Sequence, residues 1–137
     1  MKYYVQTYVG KVRKVNEDAA TAIKKNESTL LAIVADGMGG HLAGDVASRL
    51  TVDSFVEEWN KWDKTVITNN DAEDWLKETL AKTNKLVYEK ANTEEECAGM
   101  GTTVVAAICT EDFISIVHIG DSRAYIKNEQ GFRQLTQ

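Results

Sequence analysis

Residues 30–44, LLAIVADGMGGHLAG, constrain this chain more than any other stretch. Leu30 to Ala35 is a continuous apolar run, too short for a membrane span and rich in strand formers, so it reads as a strand buried on both faces. It ends abruptly in Asp36, followed by Gly37, Met38, Gly39, Gly40 and His41. A carboxylate at the mouth of a buried strand is costly unless a cation, a hydrogen bond or water compensates it. Glycines beside it let backbone groups approach a small ligand where a side chain would collide. Taken alone the glycines are equally a strand-to-helix turn. A dinucleotide loop is excluded by pattern, because G-x-G-x-x-G starting at Gly37 would need glycine where Leu42 stands.

A chain of 137 residues with 43% hydrophobic residues is sized for one domain with a sizeable core. Sixteen basic against 21 acidic residues, net −5, with no basic cluster, argues against a nucleic-acid partner. No apolar run approaches the roughly 20 residues of a transmembrane helix, and no signal peptide opens the chain. Cys97 and Cys109 make neither a C-x-x-C pair nor a disulfide framework, so a reducing cytoplasm without membrane attachment is the economical expectation.

Tyr3 to Val9 and Ala19 to Lys24 read as strands before the Leu30 strand. After the glycine loop, Ala43, Val46, Ala47 and Leu50, then Val52, Phe55, Val56 and Trp59, each follow helical spacing. The two sets lie on opposite faces, so the helix is either covered on both sides in different halves or bent near Thr51. Asn70 with Glu73 resembles a capping box for a second helix over 71–92, with Ala72, Trp75, Leu76, Leu80, Leu86, Val87 and Ala91 on its core face. Val104 to Cys109 is a second run buried on both faces, paired in a hairpin with Phe113 to Ile119, where His118 reads as a satisfied structural histidine. Ala124–Lys127 and Phe132–Leu135 make one more hairpin. Strands, two helices, then strands again predict an α+β layered domain.

Acidic residues stand at or beside predicted strand ends three times: Glu17-Asp18, Asp36 and Asp121. Singly, each is an ordinary turn residue. Together, with glycine beside two of them, they suit an all-oxygen site for Mg²⁺ or Mn²⁺, whereas zinc spacing is absent. Arg13, just upstream, is a surface arginine or a phosphate ligand; its planar fork suits the latter.

The pieces GKVRKVNED (10–18), VADGMGGH (34–41), GTT (101–103), HIGDSRAY (118–125) and LTQ (135–137) make the chain resemble the N-terminal part of a bacterial-type metal-dependent Ser/Thr protein phosphatase of the protein phosphatase 2C family. The resemblance spans essentially all 137 residues. It implies part of a four-layer α/β/β/α sandwich, two antiparallel sheets flanked by helices, with a binuclear Mn²⁺/Mg²⁺ centre at one end. Asp18 and Asp36 resemble its core carboxylates, Asp36 bridging, with the Gly37 carbonyl completing one shell. Glu17 resembles the outer-shell acid that orients water, Asp121 the ligand of a third, more weakly held ion, and Arg13 the phosphate clamp. Two ions about 3.5–4 Å apart can acidify a water and screen the phosphate, giving in-line attack without a phosphoenzyme. The implied partners are phosphoserine and phosphothreonine proteins, in opposition to a Ser/Thr kinase.

There are departures from the family pattern. Thr7-Tyr8 stands where many members carry an acid, and Met38 where some place a proton-donating histidine; His41 is the nearby substitute as general acid. Members continue for roughly another hundred residues, a half-domain, carrying at least two more ligating aspartates. These 137 residues are accordingly expected to be the N-terminal portion of one phosphatase domain, whether a shortened form, a proteolytic product or half of a split gene product. Alone they should self-associate through open apolar surface and turn over little substrate. The alternative function is a catalytically incompetent module that binds phosphoproteins or complements another chain.

Overall fold

An Asx turn closes the first hairpin of the molecule. Asn26 Oδ1 accepts from the Ser28 amide at 2.9 Å, folding β1 (Asp18–Asn26) back on β2 (Thr29–Met38) as an antiparallel pair. The computed structural model describes residues 1–11, 16–39 and 43–136. Two helices follow, α1 (Ala43–Lys61) and α2 (Asn69–Thr93), then a short 3₁₀ turn, Glu95–Cys97. β3 (Gly101–Thr102), β4 (Val104–Cys109) and β5 (Ile114–Ile119) complete a sheet ordered β1-β2-β4-β5, with β3 paired to the end of β2. β6 (Tyr125–Asn128) and β7 (Gly131–Gln134) form a separate antiparallel hairpin. The expected α+β architecture of two antiparallel sheets and two helices is observed.

Period-2 alternation places Leu31, Ile33 and Ala35 of β2, and Val104, Ala106 and Ile108 of β4, on one face. That face meets Val52, Phe55 and Trp59 of α1 and Ala72, Trp75 and Leu76 of α2 in the main core. Trp75 holds the aromatic centre, edge-on to Phe55 at 6.0 Å and to Trp59 at 5.5 Å, and stacked on Trp62 at 5.3 Å. Lys25 closes this cluster from β1: its Nζ donates to the carbonyls of Trp59 and Trp62 and sits over the Trp59 ring. An ammonium at that place complements the negative end of α1. The two apolar sets of α1 are covered in different halves, the first of the two arrangements open to the sequence. Ala43 and Ala47 pack with Val87, Cys97 and Met100, while the later set enters the main core.

Several expectations are corrected. Tyr3 to Val9 forms no strand; Tyr4 and Tyr8 are exposed, since β propensity cannot make a strand without a neighbour to pair with. β2 does not stop before Asp36 but runs on to Met38, because β3 supplies hydrogen bonds to its end. The Leu30–Ala35 run is not closed on both faces, for Val34 is 48% exposed on the face away from the helices. The capping box is Thr68 with Asp71: Thr68 Oγ1 accepts from the Asp71 amide at 3.1 Å, and Asp71 Oδ2 accepts from the Thr68 amide at 3.0 Å. Asn70 already lies inside the helix. Leu86 is exposed, whereas Thr79 and Thr83 are buried, the latter bonded to Ser54 of α1 at 2.7 Å.

Candidate metal centre

β1 and β2 bring the two central aspartates together. Asp18 and Asp36 are direct cross-strand partners, so their β-carbons stand about 4.5–5.5 Å apart on one face of the sheet. Both residues are exposed and lie on the face away from the helices. Like charges placed opposite each other destabilise a strand pair unless something positive lies between them. Hard carboxylate oxygens in that setting fit Mg²⁺ or Mn²⁺. Among the described residues, no three His, Cys, Asp or Glu side chains gather into a group able to hold a metal. Among the described residues the candidate carboxylates form a pair, with Asp121 exposed in the turn after β5 and outside any larger group.

Glu17 and Gly37 lie beside the pair. The Gly37 amide donates to the Glu17 carbonyl at 2.9 Å. A β-carbon at Gly37 would stand 1.9 Å from the Gly44 carbonyl oxygen, so only glycine lets β2 pass the first turn of α1 at this point. One at Gly44 would stand 2.0 Å from Glu17 Oε2. The Glu17 carboxylate is thus lodged against the N-terminal turn of α1, where a negative charge is favoured. Upstream, Asn16 Oδ1 accepts from the Asp18 amide at 3.0 Å, and Asn16 Nδ2 donates to Thr7 Oγ1 at 2.7 Å. Arg13 and His41 lie outside the described residues.

Two further residues stand beside the acids, Thr103 and Ser122, neither of them among the site candidates of the sequence. Thr103 is buried, its amide donates to the Asp36 carbonyl at 2.9 Å, and its Oγ1 accepts from the Asp36 amide at 3.2 Å. The Thr103 and Ser122 hydroxyls are bonded to each other. The available signal was a hydroxyl residue at the strand end in each of the two motifs, Gly-Thr-Thr and Gly-Asp-Ser. His118, read as satisfied, has a buried Nδ1 with no hydrogen-bond partner among the described residues. Cys97 and Cys109 are free, and burial pushes both thiols up, away from the thiolate that cysteine-based phosphoryl transfer requires.

The family model for protein phosphatase 2C matches residues 8–137. The chain belongs to the protein phosphatase 2C family. It is 40% identical over 128 residues to the serine/threonine phosphatase stp of Listeria monocytogenes, covering 93% of this chain and 50% of that protein. With protein phosphatase PhpP of Streptococcus pneumoniae it shares 31% over 136 residues, or 99% and 54% of the two chains. Among solved structures, serine/threonine phosphatase Stp1 of Staphylococcus aureus superposes with a TM-score of 0.86 at 36% identity, covering 96% of this chain and 51% of that one. The catalytic domain of the phosphatase PstP, solved in complex with two manganese ions, superposes at 0.80 with 31% identity, over 96% and 53% of the chains. This member of the family spans about half the length of the relatives it matches. No helix among the described residues is long and apolar enough to cross a membrane.

Proposed function

We propose that this chain carries the metal-binding part of a protein serine/threonine phosphatase, with Asp18 and Asp36 holding Mn²⁺ or Mg²⁺. The observation that carries the reading is the direct cross-strand pairing of the two aspartates on an exposed sheet face. The manganese in the PstP structure, a relative of the same fold, supports the choice of ion. Asp18, Asp36 and the Gly37 carbonyl are the proposed ligands of two ions, and Asp121 that of a third. Bound there, divalent ions would screen the phosphate charge and make water more acidic.

The remaining roles fall to this chain's own side chains. Arg13 binds phosphate oxygens through its planar fork. Glu17, lodged against Gly44, orients water by accepting its hydrogen bond. Water oxygen bonds to phosphorus as the bond to the serine or threonine oxygen breaks, and His41 gives the leaving oxygen its proton. The substrates are phosphoproteins, opposing a Ser/Thr kinase in cytoplasmic signalling.

A second reading, a catalytically incompetent module that binds phosphoproteins or complements another chain, draws on one observation: the described residues gather two metal-capable carboxylates rather than three. Phosphate release from an aryl phosphate with added Mn²⁺, in the protein at its natural length, separates the two. Turnover that Arg13→Ala cuts about ten- to a hundredfold, with Mn²⁺ affinity unchanged, fits the phosphatase. No turnover at any Mn²⁺ concentration would favour the module.

A further inference from the structure

The sheet register continues through the point where β3 and β4 are interrupted. Val34 faces Val105, and Gly37 faces Thr102, so Asp36 faces Thr103. Carried across to β5, where Val104 faces Ile119, the same row reaches Gly120. One row of the sheet therefore runs from Asp18 through Asp36 and Thr103 to the turn that bears Asp121.

At Thr103 the ladder departs from its regular form. Its amide bonds to the Asp36 carbonyl as a ladder amide should, but the returning bond from the Asp36 amide goes to the Thr103 hydroxyl. The Thr103 carbonyl is taken instead by the Thr102 hydroxyl at 2.8 Å. The same Thr103 hydroxyl is bonded to Ser122, and a β-carbon at Gly120 would stand only 2.7 Å from Thr103 Cγ2. One buried side chain thus holds the main chain of Asp36 and, on its other side, the turn carrying Asp121.

We infer that Thr103 and Ser122 are a positioning pair for the metal centre, a hydroxyl latch that fixes Asp36 and the Asp121 turn in one frame and so sets the affinity for a divalent cation. The inference rests on the reading of Asp18 and Asp36 as metal ligands. Partners that orient ligands from outside the coordination shell commonly govern metal affinity by about 10–100-fold. Thr103→Val keeps the shape and removes the hydroxyl, leaving the Asp36 amide without its acceptor. Ser122→Ala, at a half-buried position, removes only the link to the turn.

The test is Mn²⁺ titration calorimetry on the protein at its natural length, with the melting temperature in chelator measured beside it. Thr103→Val should weaken Mn²⁺ binding about tenfold or more. Ser122→Ala should weaken it less, Thr103→Ser should restore most of it, and the Michaelis constant at saturating Mn²⁺ should hold. Should Thr103→Val fail to fold, Ser122→Ala decides. Unchanged Mn²⁺ affinity in the folded variants, even with a lowered melting temperature, would overturn the latch and leave these residues purely structural. Asp36→Asn in the same series distinguishes the levels. If it loses Mn²⁺ while the latch variants do not, the latch alone fails; if it binds like wild type, the metal assignment fails with it.

Discussion

The two faces of the main sheet are built from the same strands and do opposite things. On one, Leu31, Ile33, Val104, Ala106 and Ile108 are sealed under α1 and α2. On the other, Ala20, Val34, Val105 and Ile116 alternate with them; Leu30 and Val105 are buried there too, but Val34 stays 48% exposed, and the row ends in Asp18 and Asp36. The first face supplies stability through aromatic packing. The second sets two carboxylates opposite each other, the arrangement on which the proposed cation site rests. Stability and chemistry are divided between faces, and the pleat of β2 keeps them one residue apart.

The sharpest way to break this division is to show that both faces matter equally to stability. Trp59→Ala on the sealed face should cost about 3–5 kcal/mol, whereas Val34→Ala on the open face should stay within roughly 0.5 kcal/mol. Urea unfolding of the two variants measures both, and equal losses would mean the open face is part of a core. In solution the 137 residues alone should self-associate through that face; a monodisperse monomer in the ultracentrifuge would count against an adhesive surface.

The next largest effects lie where the faces meet, at the crossing of β2 and α1. Gly37→Ala drives a β-carbon into the Gly44 carbonyl, backbone against backbone, so the melting temperature should fall steeply. Gly44→Ala meets the far end of the Glu17 side chain and, more loosely, the Gly37 carbonyl carbon at 3.0 Å. Its main effect should be on phosphate release at fixed Mn²⁺, with a smaller loss of stability. Reversed severities would contradict the proposed seat of Glu17.

A more modest loss belongs to the start of α2, remote from the site. Thr68→Ala should cost about 1 kcal/mol. The Thr68 amide, and after it Lys64, holds the Asp71 carboxyl below its ordinary value. A carboxyl lowered on folding contributes stability above its unfolded value, and that contribution is lost as pH falls through the folded one. Asp71→Asn should flatten the acid limb of melting temperature against pH, and an unaltered limb would refute the cap's role there.

Local patterns made much of this legible. The runs at Leu30 and Val104 and the helical spacing from Ala43 gave the main elements, because periodicity reports burial within a single segment. Neighbouring cap formers differ by two residues, since Thr68 with Asp71 and Asn70 with Glu73 offer the same spacing and only the folded chain shows which pair closes the box. Tyr3 to Val9 looked like a strand because propensity carries no information about a partner. The acids of the candidate centre were visible as residues, but their pairing was not. That Asp18 faces Asp36 depends on the Asn26 turn together with the register shift between Lys24 and Asn26, and that Thr103 grips Asp36 depends on a residue 67 positions away.

The proposed cation site at the Asp18–Asp36 pair makes one direct demand: Mn²⁺ must stabilise the fold through both carboxylates. Thermal melts of wild type and Asp36→Asn at natural length, each in chelator and in Mn²⁺, test it in one experiment. Mn²⁺ should raise the wild-type melting temperature and leave the variant unmoved, since only the native state with both carboxylates binds the ion. An equal Mn²⁺ shift in both proteins would contradict the cation site.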